Sequence, residues 1–204
     1  MKGYDFTNLK NNLIKKGYVV KTFENKELAV KYLEEEITCK TVGFGGSVTL
    51  SELNLFDALS KNNQVIWHGK MPDGLSVMEV RTKATRADVY ISSVNGISEN
   101  GDIINIDHTG NRVAAISYGP KKVYLIIGSN KVAPTFELAL YRARNIAGPL
   151  NAKRLNRNTP CAIKGDKCYD CNSPDRICRN LSVLWQKPAG AEYEIILINE
   201  KLGY

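Results

Sequence analysis

Along the chain, short runs of consecutive apolar residues alternate with stretches in which apolar residues return every three or four positions. This alternation predicts strands separated by helices. Residues 5–16 place Phe6, Leu9 and Leu13 on one helical face, with Asp5 positioned as a cap. YVVKTF then predicts a short strand, and residues 25–37 a helix whose Leu28, Ala29, Tyr32, Leu33 and Ile37 turn inward. TVGFGGSVTL predicts a brief strand, a glycine-rich turn and a helix over 50–59. QVIWH is the next strand, followed beyond Pro72-Asp73-Gly74 by a helix over 76–87. ADVYISSVNG and KKVYLIIGS are strongly apolar, as strands buried on both faces are. Between them, ISENGDIINID carries two short runs flanking Asn100-Gly101, a hairpin signature. A helix is predicted over 111–117, and Pro134 suits the first turn of another that reaches Gly148. SVLWQK and EYEIILIN predict two closing strands around a Pro188-Ala189-Gly190-Ala191 turn.

Strands alternating with helices imply a mainly parallel sheet covered on both faces. The hairpin and the closing strands are expected to make that sheet mixed. In such a fold ligands bind where strands end at their carboxyl termini. The 204 residues suit a single domain, with 1–24 read as an N-terminal helical extension and 159–180 as a cysteine-rich insertion. A hydrophobic content of 43% is ample for a core. The net charge of +7 raises acidic partners, but basic and acidic residues are interspersed. A solvated mixed surface therefore comes first, phosphate-bearing small molecules next and nucleic acid third. The start of the chain lacks the apolar run of a secretory signal, and no segment approaches the roughly 18 apolar residues of a membrane span. The default expectation is cytoplasmic, where clustered cysteines are metal ligands or thiols more often than disulfides.

Two stretches could carry chemistry. In Val42-Gly43-Phe44-Gly45-Gly46-Ser47-Val48-Thr49, glycines let the backbone approach a ligand, and Ser47 and Thr49 add hydroxyls. A following helix would direct its positive end at a bound anion. No G-K-[ST] closes this turn, so a purely structural turn and an anion cradle stay even. The second stretch, residues 92–102, lies just past a buried strand. There Glu99 could serve as base or nucleophile and Asn95 could hold a substrate oxygen; alternatively Asn95-Gly96 and Asn100-Gly101 simply make turns and Glu99 is solvated. Downstream, Asn111 and Arg112 stand at the mouth of a helix, and Arg112 could clamp a phosphate or carboxylate. His68 and His108 have no sequence-local partner, and Cys39 reads as a buried core residue.

The remaining cysteines, Cys161, Cys168, Cys171 and Cys178, are spaced C-x6-C-x2-C-x6-C. One C-x2-C pair is a common metal knuckle, and Gly165 and Pro174 would help the outer two return to it. Pro160 and Pro174 argue against a continuous helix here. Tetrahedral Zn²⁺ and a [4Fe–4S] cluster both accept four thiolates, and free thiols or a disulfide are the other readings.

The turn GFGGSVTLSEL, followed by ADVYISSVNGISENGDIINIDHTGNRVAAISYGPKKVYLIIGSNKV, resembles the lactate-utilisation (LUD) domain proteins from about Lys26 onward. The resemblance implies a three-layer α/β/α Rossmann-like fold of the kind shared by ribose-5-phosphate isomerase, glucosamine-phosphate isomerase and the CoA-transferases. In that superfamily the glycine turn binds phosphate or a CoA-type group, which extends the expected ligand here to a phosphate, a carboxylate or a CoA-type anion at Gly43, Gly45, Gly46, Ser47 and Thr49. Acidic catalytic residues of the superfamily fall at the segment 95–102. Where a sugar-phosphate isomerase shows an Asp-rich motif, this chain has Val94-Asn95-Gly96-Ile97. LUD proteins are implicated in oxidation of lactate to pyruvate beside iron–sulfur partner subunits, so an accessory or small-anion-binding role is expected. The redox context leans the four cysteines towards iron–sulfur. The alternative is an isomerase or acyl/CoA transferase using Glu99, and a homo-oligomer is compatible with either.

Overall fold

The computed structural model describes residues 3–204. Helix α1 (Thr7–Lys15) is anchored by Asp5, whose carboxylate accepts from the Thr7 N–H at 2.9 Å, and it leads into β1 (Val19–Phe23). Helix α2 (Lys26–Glu36) starts where the Asn25 side chain accepts from the Leu28 N–H. Then come β2 (Thr41–Phe44), α3 (Val48–Glu52), α4 (Leu55–Ser60) and β3 (Gln64–Ile66). The helix expected over 50–59 is split because Asn54 adopts a left-handed φ of 48°, which interrupts the helical hydrogen-bond ladder. Helix α5 (Val77–Thr85) opens with a reciprocal capping box between Ser76 and Glu79.

Strand β4 (Val89–Ser92) precedes the hairpin of β5 (Gly96–Ser98) and β6 (Ile103–Asp107), which turns through Gly101 at a φ of 84°. Helix α6 (Asn111–Ser117), strand β7 (Lys122–Gly128), a 3-10 turn (Ser129–Lys131) and β8 (Val132–Ala133) follow. Thr135, one residue past Pro134, caps α7 (Phe136–Arg142) by accepting from the Leu138 N–H. A π turn (Ala143–Ala147) carries α7 straight into α8 (Gly148–Arg154). The cysteine-rich segment is irregular apart from α9 (Pro160–Lys164), with Pro160 in its first turn. Strands β9 (Asn180–Leu184) and β10 (Glu192–Ile198) complete the order.

Six strands form one parallel sheet in the order β1-β10-β7-β4-β2-β3. Side chains alternate across it, which sorts the core into two faces. Val123, Leu125 and Ile127 of β7 pack with Leu9 and Leu13 of α1 and Ile116 of α6. Tyr124 and Ile126 face the other way, onto Ala29, Leu33, Leu55 and Leu59 of α2 and α4. The result is three layers, helix on sheet on helix, and each buried Leu or Ile contributes about 1.5–3 kcal/mol.

The mixed character predicted for that sheet resides elsewhere. The hairpin belongs to a separate four-stranded sheet, β8-β5-β6-β9, with antiparallel β5–β6 and β6–β9 pairs. The two closing strands do not pair with each other, because β9 edges this small sheet while β10 lies between β1 and β7. The N-terminal segment is not an appendage either. Strand β1 pairs with β10 from Val19↔Glu194 to Phe23↔Ile198, and Leu9 and Leu13 are fully buried. Cys39 is also not a core residue: it is exposed, in a left-handed turn at φ 53° whose N–H bonds the Asn62 carbonyl.

Candidate functional site

Strands β7, β4 and β2 are neighbours in the large sheet, and a cavity of about 220 Å³ opens where their carboxyl ends meet. Gly46, Ser47 and Thr49 border it beyond β2, Ser93, Val94 and Asn95 beyond β4, and Lys131 beyond β7. His68 and Arg81 form one flank, and Asp107, His108, Asn111 and Arg112 another. The helical run through Ala147, Gly148, Asn151 and Arg154 closes a third side, with Arg157, Cys178 and Tyr204 also on the lining. The position is the one expected for ligands of parallel sheets.

The glycines of the turn work by leaving room. None of Gly43, Gly45 and Gly46 has a positive φ. A Cβ on Gly43 would lie 2.0 Å from the Ala84 carbonyl oxygen, so this glycine lets α5 settle onto β2 and is a packing residue. A Cβ on Gly45 would meet the Ser92 hydroxyl at 2.7 Å and the Arg112 stem at 3.1 Å. Gly46 alone of the three borders the cavity. Ser47 spends its hydroxyl as the cap of α3, accepting from the Leu50 N–H at 3.3 Å. That helix has only five residues, so the strong helix dipole expected behind the turn is not available.

Lys131 is the residue that motif reading missed. It is 3% exposed, yet it borders the cavity, and its Nζ donates to the Thr49 and Ser93 hydroxyls, each at 2.8 Å. Burial first, then the nearby Arg142 and Arg112, pull its pKa down to about 7. The signal available in the sequence was its position, three residues past a strand buried on both faces.

Arg112 and Asn95, read as ligand-binding and catalytic, are brought together but spent on each other. One guanidinium nitrogen donates to the Ser93 carbonyl at 3.2 Å and to the Asn105 side chain. The other donates to Asn95 Oδ1 at 3.0 Å and the Ile106 carbonyl at 2.7 Å. Asn95 Oδ1 accepts also from the Ile106 N–H at 2.8 Å. Together they tie the end of β4 to β6, so Arg112 clamps the fold in place of a ligand. Asn111 reaches the cavity from the first turn of α6. Glu99 does not border it: at the hairpin tip its carboxylate accepts from the Tyr4 hydroxyl and its carbonyl from the Asn12 side chain.

Charge in the cavity is one-sided. Asp107 is the single carboxylate on a lining that holds Arg81, Arg112, Arg154, Arg157 and Lys131. Burial first, then Arg81, lowers the pKa of His68, with Asp107 acting against them. His68 Nδ1 and Arg81 Nε are buried without a hydrogen-bond partner among the described residues. Unpaired buried polar atoms of this kind cost free energy until they find a hydrogen-bond partner.

Of the four clustered cysteines, Cys178 lies near enough to Cys168 and Cys161 to feel their charge; burial first, with those thiols adding and Arg176 opposing, raises its pKa. Cys161 shares a hydrogen with the Thr159 hydroxyl at 3.3 Å, and Cys168 accepts from the Asp170 N–H at 3.4 Å and from Arg144 at 3.8 Å. Cys171 offers its carbonyl to Arg176 at 2.7 Å, and Cys178 lies on the cavity lining. Among the described residues no three Cys, His, Asp or Glu side chains are gathered to hold one metal ion. As arranged, the segment does not fit a four-thiolate centre.

A DUF162 family protein from Deinococcus radiodurans has the same fold, with 12% identity, 94% of each chain covered and a TM-score of 0.53. Ribose 5-phosphate isomerase from Plasmodium falciparum aligns over 53% of this chain and 52% of its own, at 18% identity and a TM-score of 0.34. For eIF2B delta from Chaetomium thermophilum the shares are 65% and 54%, at 16% identity and a TM-score of 0.37. No curated protein matches the chain. The sequence model of the LUD domain matches residues 6–198, which takes in both sheets, the cavity and the cysteine segment, and the chain therefore belongs to the LUD domain family.

Proposed function

We propose that this protein binds a small anion, a carboxylate or phosphate, in the strand-end cavity and serves as an accessory of lactate-to-pyruvate oxidation. The observation that carries the first half is the lining: Arg81, Arg154 and Arg157, in addition to the internally bonded Arg112 and to Lys131, face the single carboxylate of Asp107 in a space of about 220 Å³. Such a space admits an acid of a few carbons. The buried, unpartnered Arg81 Nε adds a donor that a bound oxygen would satisfy. The second half rests on membership of the LUD domain family, whose lactate-utilisation context supplies substrates of that size and charge. Iron–sulfur partner subunits, expected from the resemblance to lactate-utilisation proteins, would then carry the electrons.

Isothermal titration with L-lactate, pyruvate and inorganic phosphate tests the binding. Saturable binding of at least one, weakened about tenfold or more by Arg81→Ala and by raised salt, is the expected result. Equal heats for wild type and Arg81→Ala with all three ligands would remove the cavity as the site.

A further inference from the structure

Lys131 is held unlike a lysine that merely neutralises an anion. Its two hydrogen-bond partners are hydroxyls, and each hydroxyl has its own hydrogen committed elsewhere. Ser93 donates to the Ile126 carbonyl at 2.6 Å, and Thr49 to the Leu202 carbonyl at 3.3 Å. Towards Lys131 both oxygens are therefore acceptors, at 2.8 Å each. A neutral amine has two N–H groups, and both are used in this cradle. What is left on nitrogen is the lone pair, and the side chain borders the cavity. Among the described residues no carboxylate is bonded to the amine that would hold the proton on. Arg112 and Arg142 repel the charged form, and Glu52 is the acidic group acting against them. These effects with burial bring the pKa to about 7, so a large share of the amine is unprotonated at neutral pH.

We propose that Lys131 is a nucleophile that forms an imine with the carbonyl of a short 2-oxo acid. This rests on the anion-binding reading above, and it names the substrate class for the same cavity. A carboxylate would be held by the arginines, as anions are by guanidinium forks, leaving the adjacent ketone for the amine. The nitrogen lone pair forms the new C–N bond while the carbonyl π pair moves to oxygen, which takes a proton. Nitrogen then releases its two protons as its lone pair makes the C=N bond, and the former carbonyl oxygen leaves as water. The balance is one amine and one ketone giving one imine and one water, with no oxidation or reduction.

Borohydride trapping tests this on the wild-type protein. The protein is incubated with pyruvate, reduced, digested and mapped by mass spectrometry. The expected result is a reduced pyruvyl adduct on the peptide carrying Lys131, suppressed by L-lactate, which offers the same carboxylate without a ketone. Lys131→Met should abolish the adduct. Thr49→Val, which removes one acceptor from the cradle and keeps the lysine, should slow its formation. If pyruvate binds by titration but only surface lysines are modified, the imine is refuted and the anion site stands. If neither pyruvate, L-lactate nor phosphate binds, the anion-binding reading fails and takes the imine with it.

Discussion

Replacing Lys131 by methionine should stabilise the protein at mildly acidic pH and progressively less as the pH rises. In the unfolded chain this amine titrates near its ordinary value of 10.5, whereas in the fold burial and two arginines bring it to about 7. Below about pH 7 both states hold the proton, and the folded protein bears the full cost of a buried ammonium. Between the two values the folded amine is neutral while the unfolded one is still charged. The unfolded state then binds more protons, so stability rises with pH across that interval and the penalty is gone above 10.5. At 1.36 kcal/mol per pH unit, the largest swing the interval allows is about 5 kcal/mol. Methionine matches the lysine stem in length and has no charge to bury, and the Thr49 and Ser93 hydroxyls keep their carbonyl acceptors. The assay is urea unfolding of both proteins at pH 6, 8 and 9.5, followed by circular dichroism. The stability difference in favour of Lys131→Met should shrink by about 2 kcal/mol or more from pH 6 to pH 9.5. A difference constant to within about 0.5 kcal/mol would mean that Lys131 titrates normally, and the argument from its burial would fall.

Arg112→Met should cost about 3–5 kcal/mol in urea unfolding, because it strands Asn95, Asn105 and the Ser93 and Ile106 carbonyls in the interior. A loss below about 1 kcal/mol would return Arg112 to the list of ligand clamps. Gly43→Ala should cost about 1–3 kcal/mol through overpacking of α5 on β2, read as a fall in melting temperature of several degrees; an unchanged melting temperature would contradict the close approach to Ala84. Asp102 is held below the ordinary carboxylate range: burial opposes ionisation, but bonds from Lys16, at 2.8 Å, and Ser98 outweigh it. Its contribution is therefore present above that range and lost as the pH falls through the depressed value, so Asp102→Asn should destabilise at pH 7 and matter little in strong acid. Equal destabilisation at both pH values would rule that ion pair out.

The strands and helices were legible because β4, β7 and β10 each contain a run of consecutive apolar residues and the helices carry clear periodicity. Tertiary placement was not, and the misreadings share a cause. Periodicity shows which face of an element is apolar but not which neighbour it meets. SVLWQK and EYEIILIN were therefore expected in one sheet, although they feed different sheets. In the candidate site, the strand-end rule pointed to the right turns. It could not separate side chains that face the cavity from those consumed in holding it. Arg112 and Asn95 have ligand-binding chemistry, and only the hydrogen-bond geometry shows that it is spent internally. Lys131 went unnoticed for the opposite reason. In sequence it is one lysine among many, and its distinction is burial, which composition does not carry.

The placement of β10 has a consequence for how the chain reaches its fold. Strand β1 has β10 as its neighbour in the sheet, and their pairing joins Val19 to Glu194, residues at opposite ends of the chain. Until residues 192–198 slot in beside β7, β1 and the helix that packs with it have no sheet to join. Assembly must close a loop spanning most of the molecule, the kind of non-local contact that slows folding. The four strands from β7 to β3 can pair without that step, and with them the turns that border the cavity floor. The pairing of β10 with both β1 and β7 is thus the contact that commits both ends of the chain to one structure.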